Sequence, residues 1–550
     1  MAQRFSPTRR RLLTGIAATA AGSAAVGAGL APRTVFAAVT AGAGGKVLHR
    51  GNGSEPQTLD PHKSSGVPES WIQFDIFEGL IMPDGANGRV PGAAERWEAN
   101  ADQSLYTFHL RKNGKWSDGT PVTAHDFVFA WKRICDPKTA SNYAFNLWVV
   151  KGAQAASLGQ APVDDMGVRA VDDYTFEVTL RGPTPYFTKM LHHHAFYPIS
   201  RANYEKFGND FIRSGNLVSN GAYMLTEAIP QGHVKVVKNP HFHAADSVKI
   251  DTVFFYPTEN IETELRRFRS GELHTTYEVP VTQTRWIKEN MADEYREDPY
   301  LGIYFYSANL TKEPWKSSKD LRLALNLAID RQVIVEKITA QGEAPSFSFV
   351  PTGTENYTPQ APDYAAWTQA QRDEKAKELV KAAGYGPGGK PLDLEILYNT
   401  NENHRKIAIA IASMWQQKLG VKVTLNNQEW KVFLSTRDEK SYKDVVRQGW
   451  IADYNDAVTF LDLLRSDVVQ QNPSGYANPA YDALLDAANK TADQEKRRDL
   501  LQQAEKLALE DVAVFPIYVY ANQNMVSKRV SGWHADILGN HPSRFMDLKA

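Results

Sequence analysis

Two hydrophobic periods alternate along the chain from about residue 46 onward. Apolar residues at every second position predict strands over 106–110 and 174–180. Between these strands, the Ser-Asp-Gly triplet at 117–119 indicates a turn. A capping-box pattern at Thr123 then precedes apolar residues at helical spacing as far as Ile134. The first part of the chain therefore predicts strands and helices mixed together.

Helical periodicity is clearest in the second half of the chain. Apolar residues at i, i+3, i+4 and i+7 predict amphipathic helices over 321–329 and 407–415, and the second is expected to end at Gly420. This second helix lies between strands predicted over 392–399 and 421–425. The β-α-β order is typical of a parallel or mixed sheet, so we predict an α/β protein with more than one lobe.

The first 37 residues have the pattern of a twin-arginine signal peptide. Arg9 and Arg10 precede two leucines, a run rich in glycine and alanine follows, and Val35-Phe36-Ala37 fits a cleavage site. We expect export to the periplasm with cleavage near Ala37. An uncleaved membrane anchor is the alternative, but the run is weakly hydrophobic and shorter than a span. No cysteine follows the run, which argues against a lipid anchor.

Composition and charge narrow the class of protein. Of the 550 residues 42% are hydrophobic and 23% are charged, as in an ordinary globular protein with a substantial core. Five of the 62 basic residues and none of the 63 acidic ones lie in residues 1–37, so the rest carries a net charge of −6. This charge argues against nucleic acid as a partner. The single cysteine, Cys135, is expected to be buried and unreactive.

The signatures of common hydrolases, phosphate-loop proteins and thiol redox proteins are absent from the sequence, which lacks the motifs G-x-S-x-G, S-x-x-K, H-E-x-x-H, G-K-[ST] and C-x-x-C. The run His192-His193-His194 raises a metal hypothesis. Consecutive side chains point in different directions on any regular element, however, and no carboxylate or cysteine spacing supports the hypothesis. We therefore expect a protein that is not an enzyme and that holds no metal or cofactor.

Several segments, in order from about residue 46 to 525, resemble the periplasmic oligopeptide-binding proteins of ABC importers, in solute-binding protein family 5. The resemblance implies a receptor that captures short peptides and delivers them to an inner-membrane ABC permease, and that acts as a monomer. Collinear matches over nearly the whole mature chain are more specific than any one motif. The matching segments include GSEPQTLDPH, WSDGTPVTAHDFVFAWKRI, VDDYTFEVTL, VSNGAYML and GWIADYND.

The resemblance also implies a domain organisation. Members of this family have two α/β lobes that close over the ligand by hinge bending, and this large subclass has a third domain. By analogy, lobe I combines residues 46–78, 203–305 and 521–550. Residues 79–202 then form the additional domain, and residues 306–520 form lobe II.

The segment RQGWIADYND at 447–456 carries the central site prediction. In an extended chain Arg447 and Asp453 face the same side, with their backbones about 20 Å apart. In the family, the residue that matches Asp453 holds the α-ammonium of a peptide, and the residue that matches Arg447 can meet its terminal carboxylate. A peptide of about two to five residues would fit between them. From spacing alone, Asp453 is as well explained as a residue that caps a turn with Asn455.

Further residues match positions near the ligand in this family. His404 matches a histidine that can meet a ligand carboxylate; as an imidazolium it would lose that carboxylate as the pH rises through about 6 to 8. A purely structural role at the start of a helix is as well supported. One departure concerns Thr339, which stands where the family has lysine, so the carboxylate site for one peptide length is in doubt. The other matching residues are Tyr143, Trp430, Trp450 and Tyr520.

Three alternatives stay open from the sequence. The Thr339 departure allows a specialised ligand such as murein tripeptide or glutathione, and the family also includes receptors for nickel chelates and haem. A secreted hydrolase would require an activated nucleophile, for which the sequence shows no pattern. A periplasmic chaperone or signalling adaptor would carry no ligand through purification.

Overall fold

The computed structural model describes residues 45–386 and 388–549, so the predicted signal peptide at 1–37 lies outside the described residues. The described strands fall into three larger sheets and two small two-stranded sheets. In chain order the strands are β1 (Val47–Gly51), β2 (Ile81–Pro83), β3 (Arg89–Pro91), β4 (Ala94–Ala99), β5 (Leu105–Leu110), β6 (Val168–Asp172), β7 (Thr175–Thr179), β8 (Tyr223–Ile229), β9 (His233–Lys238), β10 (Thr252–Tyr256), β11 (Tyr295–Ala308), β12 (Ala344–Pro345), β13 (Asp393–Asn399), β14 (Lys422–Gln428), β15 (Val445–Ile451), β16 (Phe515–Met525), β17 (Val530–Ser531) and β18 (Asp547–Leu548).

Helices alternate with these strands, and none of the described helices has both the length and the apolar character needed to cross a membrane. In chain order the α-helices are α1 (Val67–Ile76), α2 (Ala124–Cys135), α3 (Ala153–Ser157), α4 (Phe187–Met190), α5 (Arg201–Phe207), α6 (Ile261–Arg269), α7 (Thr284–Asn290), α8 (Lys319–Ala328), α9 (Arg331–Val333), α10 (Gln369–Ala382), α11 (Glu402–Leu419), α12 (Trp430–Asp438), α13 (Val458–Leu461), α14 (Pro479–Ala488) and α15 (Gln494–Glu510).

The predicted β-α-β unit is confirmed in the largest sheet, whose strand order is β12-β16-β11-β15-β13-β14. β13 and β14 pair in parallel and are joined by α11, which ends at Gly420 in the left-handed conformation, with φ of 70°. α11 buries Ile407, Ile411 and Trp415, three residues of the predicted apolar face. The indole of Trp415 also donates to the carbonyl of Leu325 at 2.9 Å, which ties α11 to α8.

A second sheet, with order β4-β5-β7-β6, confirms the strands predicted in the first part of the chain. The segments predicted at 106–110 and 174–180 are β5 and β7, which pair antiparallel. The capping box before α2 is confirmed, because the backbone N–H of Thr123 donates to Asp126 at 2.9 Å. Cys135, at the end of α2, is buried as predicted, and burial raises the pKa of its thiol.

The third sheet has the order β1-β10-β9-β8, with β1 parallel to β10 and the other pairs antiparallel. Each of the three larger sheets is thus built mainly from residues of one predicted domain: the sheet that contains β1 from lobe I, the sheet that contains β4 from the additional domain, and the largest sheet from lobe II. The domain limits themselves stay predictions. Two of these limits, at residues 305 and 520, fall inside β11 and β16, so these long strands carry the chain across the predicted border between the lobes.

β11 and β16 pair antiparallel with a change of register near that border. Pro299 faces Ala521 and Ile303 faces Val519, so β11 carries two extra residues opposite Tyr520. A bulge of this kind bends a strand and re-aims its side chains. Tyr520, opposite the bulge, lines the candidate site described below.

Candidate ligand-binding site

A cavity of roughly 220 Å³ is lined by residues from all three predicted domains. Its wall brings together residues that are several hundred positions apart in sequence. All seven residues proposed from the sequence line this cavity: Tyr143, His404, Trp430, Arg447, Trp450, Asp453 and Tyr520.

Asp453 marks one end of the cavity and lies two residues beyond β15, so the predicted extended segment ends before it. Its side chain is 7% exposed. Asn146 Nδ2 donates to one carboxylate oxygen at 3.1 Å, and His193 Nε2 lies 3.4 Å from the other. The backbone N–H of Asp453 donates to Thr459 Oγ1 at 3.0 Å. The carboxylate is thus oriented from the additional domain and does not cap a turn with Asn455.

Aromatic rings form the wall beside Asp453. Tyr143 packs on Trp450 with ring centroids 6.1 Å apart and an interplanar angle of 19°. The centroid of the His193 ring lies 4.9 Å from that of the Tyr143 ring. Aromatic side chains bury apolar area while they keep polar edges, so this end combines one oriented carboxylate with apolar surface.

Arg447 occupies β15 at the other end, and its side chain is buried. It donates to the Tyr520 hydroxyl at 2.7 Å and to Asn399 Oδ1 at 3.2 Å, while its guanidinium lies 4.7 Å from the ring centroid of Tyr304. These partners are neutral, so the charge has no ion-pair partner in the described part of the chain. Gly449 allows the arrangement, because a Cβ there would collide with the Tyr520 hydroxyl.

His404 lies in the first turn of α11, with its ring 5.6 Å from that of Tyr304. Its side chain is buried, and Nδ1 has no hydrogen-bond partner among the described residues. Burial, and then the charge of Arg447, lower the pKa of His404 well below its usual value. The imidazole is therefore neutral at neutral pH in this structure. The loss of affinity between pH 6 and 8 that an imidazolium would cause is then no longer expected.

We expect the affinity for free-acid peptides to stay constant, within about threefold, between pH 6 and 8, because a histidine with a lowered pKa does not change charge in that range. Calorimetry in phosphate and in Tris at pH 7 provides the check. A neutral His404 gives the same binding heat in both buffers after correction for dilution. Proton uptake from the buffer at pH 7, together with affinity that falls as pH rises, would show that the ligand carboxylate raises the pKa of His404 enough for it to become protonated on binding.

The N-terminus of α11 also contacts the first predicted lobe. Asn401 caps the helix, and its Nδ2 donates to Glu278 at 2.8 Å. Asn403 accepts from the backbone N–H of Val281 at 3.2 Å and donates to the carbonyl of Val279 at 3.3 Å. One helix end therefore supplies both a cavity residue and hydrogen bonds across the predicted lobe border.

The three consecutive histidines, His192, His193 and His194, all line the cavity, although consecutive side chains were expected to diverge. They lie where α4 ends and a 3₁₀ turn begins, so neither regular period applies to them. Burial lowers the pKa of His192 and of His194 well below the usual value. Among the described residues no group of three or more side chains is placed to hold a metal ion.

Comparison with known proteins shows which protein family the chain belongs to. Residues 89–472 match the family model described as bacterial extracellular solute-binding proteins, family 5. The chain belongs to this family. It is 43% identical to the periplasmic oligopeptide-binding protein OppA of Salmonella typhimurium over 491 residues, which cover 89% of this chain and 90% of the relative. Family membership confirms the predicted two-lobed α/β fold, and this relative is a periplasmic binding protein.

Two solved structures of family 5 bear on how the lobes are arranged. The structure of the Escherichia coli murein tripeptide binding protein MppA matches with a TM-score of 0.89 at 38% identity, covering 92% of this chain and 98% of that one. The unliganded open form of MppA matches with a TM-score of only 0.64 at the same identity, over 92% and 97%. The lobes of this chain are therefore arranged differently from that open form, in agreement with the contacts of α11.

Proposed function

We propose that this protein captures short peptides between its two lobes in the periplasm and delivers them to an inner-membrane ABC importer. One observation carries the proposal. A buried, oriented carboxylate at Asp453 and a buried guanidinium at Arg447 with only neutral partners line the same cavity. A peptide has an ammonium at one end and a carboxylate at the other, so it complements both groups.

Polar atoms without partners in the cavity wall support a peptide main chain as the ligand. A buried donor without a partner costs about 1 to 3 kcal/mol, so such atoms in a cavity wall indicate a polar guest. Main-chain carbonyls and amides can satisfy them whatever the peptide's side chains are. Buried polar atoms that line the cavity and have no hydrogen-bond partner in the described residues are Ser65 Oγ, Trp71 Nε1, His404 Nδ1, Trp430 Nε1, Arg447 Nε and Asn540 Nδ2.

Binding and closure are coupled because the cavity wall spans the predicted lobes. Asp453 and Arg447 belong to lobe II, whereas Trp71 and Thr258 belong to lobe I. A ligand that touches both sets of residues has more contacts in the closed form than in an open one, so it shifts the population towards closure. The permease would then recognise the closed receptor.

A specialised ligand such as murein tripeptide is the second candidate. The likeness to MppA favours it, and so does Thr339. The Thr339 hydroxyl donates to Glu343 at 2.9 Å, at a position where the family's lysine would place a cation. A receptor that lacks this cation is expected to accept fewer peptide lengths than a general one.

Native mass spectrometry of the protein purified without refolding tests the proposal. We expect bound masses that correspond to peptides of about two to five residues, which are released on denaturation. A single tripeptide that contains diaminopimelate would select the specialised candidate. A non-peptide ligand would contradict the proposal, and cleavage of added peptides would indicate a hydrolase instead.

The proposal includes export by the twin-arginine route, cleavage near Ala37 and action as a monomer. Arg9, Arg10 and the Val35-Phe36-Ala37 site support the first two. N-terminal sequencing of the periplasmic protein checks the cleavage site, light scattering checks the oligomeric state, and loss of export in an Arg9→Lys, Arg10→Lys variant checks the route. A periplasmic protein that begins at Met1 would contradict cleavage, and a stable dimer would contradict the monomer.

A further inference from the structure

A second cavity, of roughly 80 Å³, adjoins the first at the Arg447 end. His404, Tyr520 and Glu278 line both cavities, whereas Asp453 lines only the first. Because Tyr520 hydrogen-bonds Arg447, the second cavity begins where the first one ends. A volume of this size holds several water molecules, or an alkyl chain with a polar end in their place.

The described wall of the second cavity contains two carboxylates and neither lysine nor arginine. Glu278 accepts from Asn401, and Glu343 accepts from the Thr339 hydroxyl and from the backbone N–H of Gln341 at 3.0 Å. Burial raises the pKa of both Glu278 and Glu343. Burial is the main cause of the rise in both pKa values; the charge of Arg447 partly offsets the rise for Glu278, and the nearby carboxylate of Glu297 adds to the rise for Glu343.

Two further side chains indicate that this space receives a polar group. His404 is 8% exposed and Trp71 is 5% exposed, and each lines both cavities. Their Nδ1 and Nε1 atoms have no hydrogen-bond partner within the described residues. Buried nitrogen atoms of this kind are unfavourable beside a purely apolar guest.

We propose that the second cavity takes a positively charged side chain on the C-terminal residue of the peptide. The inference rests on the proposed function, because Arg447 must first hold the terminal carboxylate of that residue. The side chain can then extend past Tyr520 towards Glu278 and Glu343. An ammonium on an aminoalkyl chain, as in lysine, ornithine or diaminopimelate, would pair with these carboxylates, whereas an acidic side chain would be repelled.

Calorimetry with three series of peptides tests the proposal. The peptides have two to four residues, with alanine at all positions except the last, which is lysine, norleucine or glutamate. Norleucine is the matched control, because it keeps the alkyl chain of lysine without the charge. For the best-bound length we expect lysine to bind at least about tenfold tighter than norleucine, and norleucine tighter than glutamate.

Three variants connect this preference to the cavity. Glu343→Gln should reduce the lysine preference to about threefold or less, while retained norleucine binding shows that the variant is folded. Thr339→Lys, which restores the family's residue, should abolish the preference for lysine and favour glutamate. Glu336→Gln removes an exposed carboxylate from the same segment and should change nothing.

Two outcomes would overturn the proposal. Equal affinity of the wild type for the lysine and norleucine peptides would refute the cationic subsite and leave the peptide receptor intact. Failure of every peptide to bind would refute the proposed function and this inference together.

Discussion

Asp453→Asn is expected to weaken the binding of a peptide with a free amino group by about 3 to 5 kcal/mol, which is about two to four orders of magnitude in affinity. The side chain is almost fully buried, and an enclosed ammonium has no water to replace the lost charge. N-acetylation of the peptide should cost the wild type a similar amount, for the same reason. In the variant, free and acetylated peptides should bind with nearly equal affinity.

Wild-type protein and the Asp453→Asn variant are each titrated with the free and the acetylated peptide. These four titrations form a double-mutant cycle that isolates the contact between Asp453 and the ammonium. Asp393→Asn is the matched control, since it removes an exposed carboxylate from the same lobe. This control should keep the wild-type preference for the free amine. If wild-type protein bound acetylated peptides as tightly as free ones, Asp453 would have only a structural role with Asn146 and His193.

Arg447→Ala is expected to weaken the binding of a free-acid peptide by about 2 to 5 kcal/mol and to change the binding of the matching amide far less. The guanidinium is buried beside neutral partners, so only a ligand carboxylate would pair with its charge. Calorimetry with peptides of two to five residues, as acids and amides, provides the measurement. The length that Arg447 serves should show the largest change in the ratio of acid to amide affinity.

Two further variants sharpen the interpretation of Arg447. Arg447→Lys keeps the charge and loses the planar pair of donors, so it should recover only part of the acid preference. Arg405→Ala removes an exposed arginine from α11 and should leave that preference unchanged. Equal losses for acids and amides at every length would mean that Arg447 stabilises the lobe through Tyr520 and Asn399 and does not hold a carboxylate.

The position of Arg447 also links the ligand to closure. Its partner Tyr520 lies opposite the bulge where β11 and β16 change register, and both strands cross the predicted lobe border. A carboxylate bound to Arg447 therefore lies beside the segment whose bending would move the lobes. This position gives a physical reason why closure of the lobes would depend on a peptide whose terminal carboxylate reaches Arg447.

The elements that the sequence predicts best are those whose signals are local. The unit formed by β13, α11 and β14 has clear periods of 2 and 3.6 residues and a glycine at the helix end. The capping box before α2 is equally local. Each of these patterns depends on neighbours within a few residues, so the local sequence is sufficient to predict the element.

The candidate site is different, because tertiary contacts create it. Asn146 and His193 approach Asp453 from about 260 to 310 positions away, and no pattern near either residue indicates this. The family resemblance suggested the seven cavity residues, but not Glu278 or the neutral state of His404, which burial beside Arg447 produces. The histidine run was visible in the sequence; that its side chains face one cavity follows only from the fold.

A crystal structure of the protein with trialanine tests the central claim most directly. We expect the peptide to lie extended in the cavity, with its ammonium at about 3 Å from the carboxylate of Asp453 and its carboxylate on the guanidinium of Arg447. The closed arrangement of the lobes and the hydrogen bonds of Asn403 to the first lobe should be present. A peptide bound in the reverse direction, or with both termini in solvent, would contradict the account.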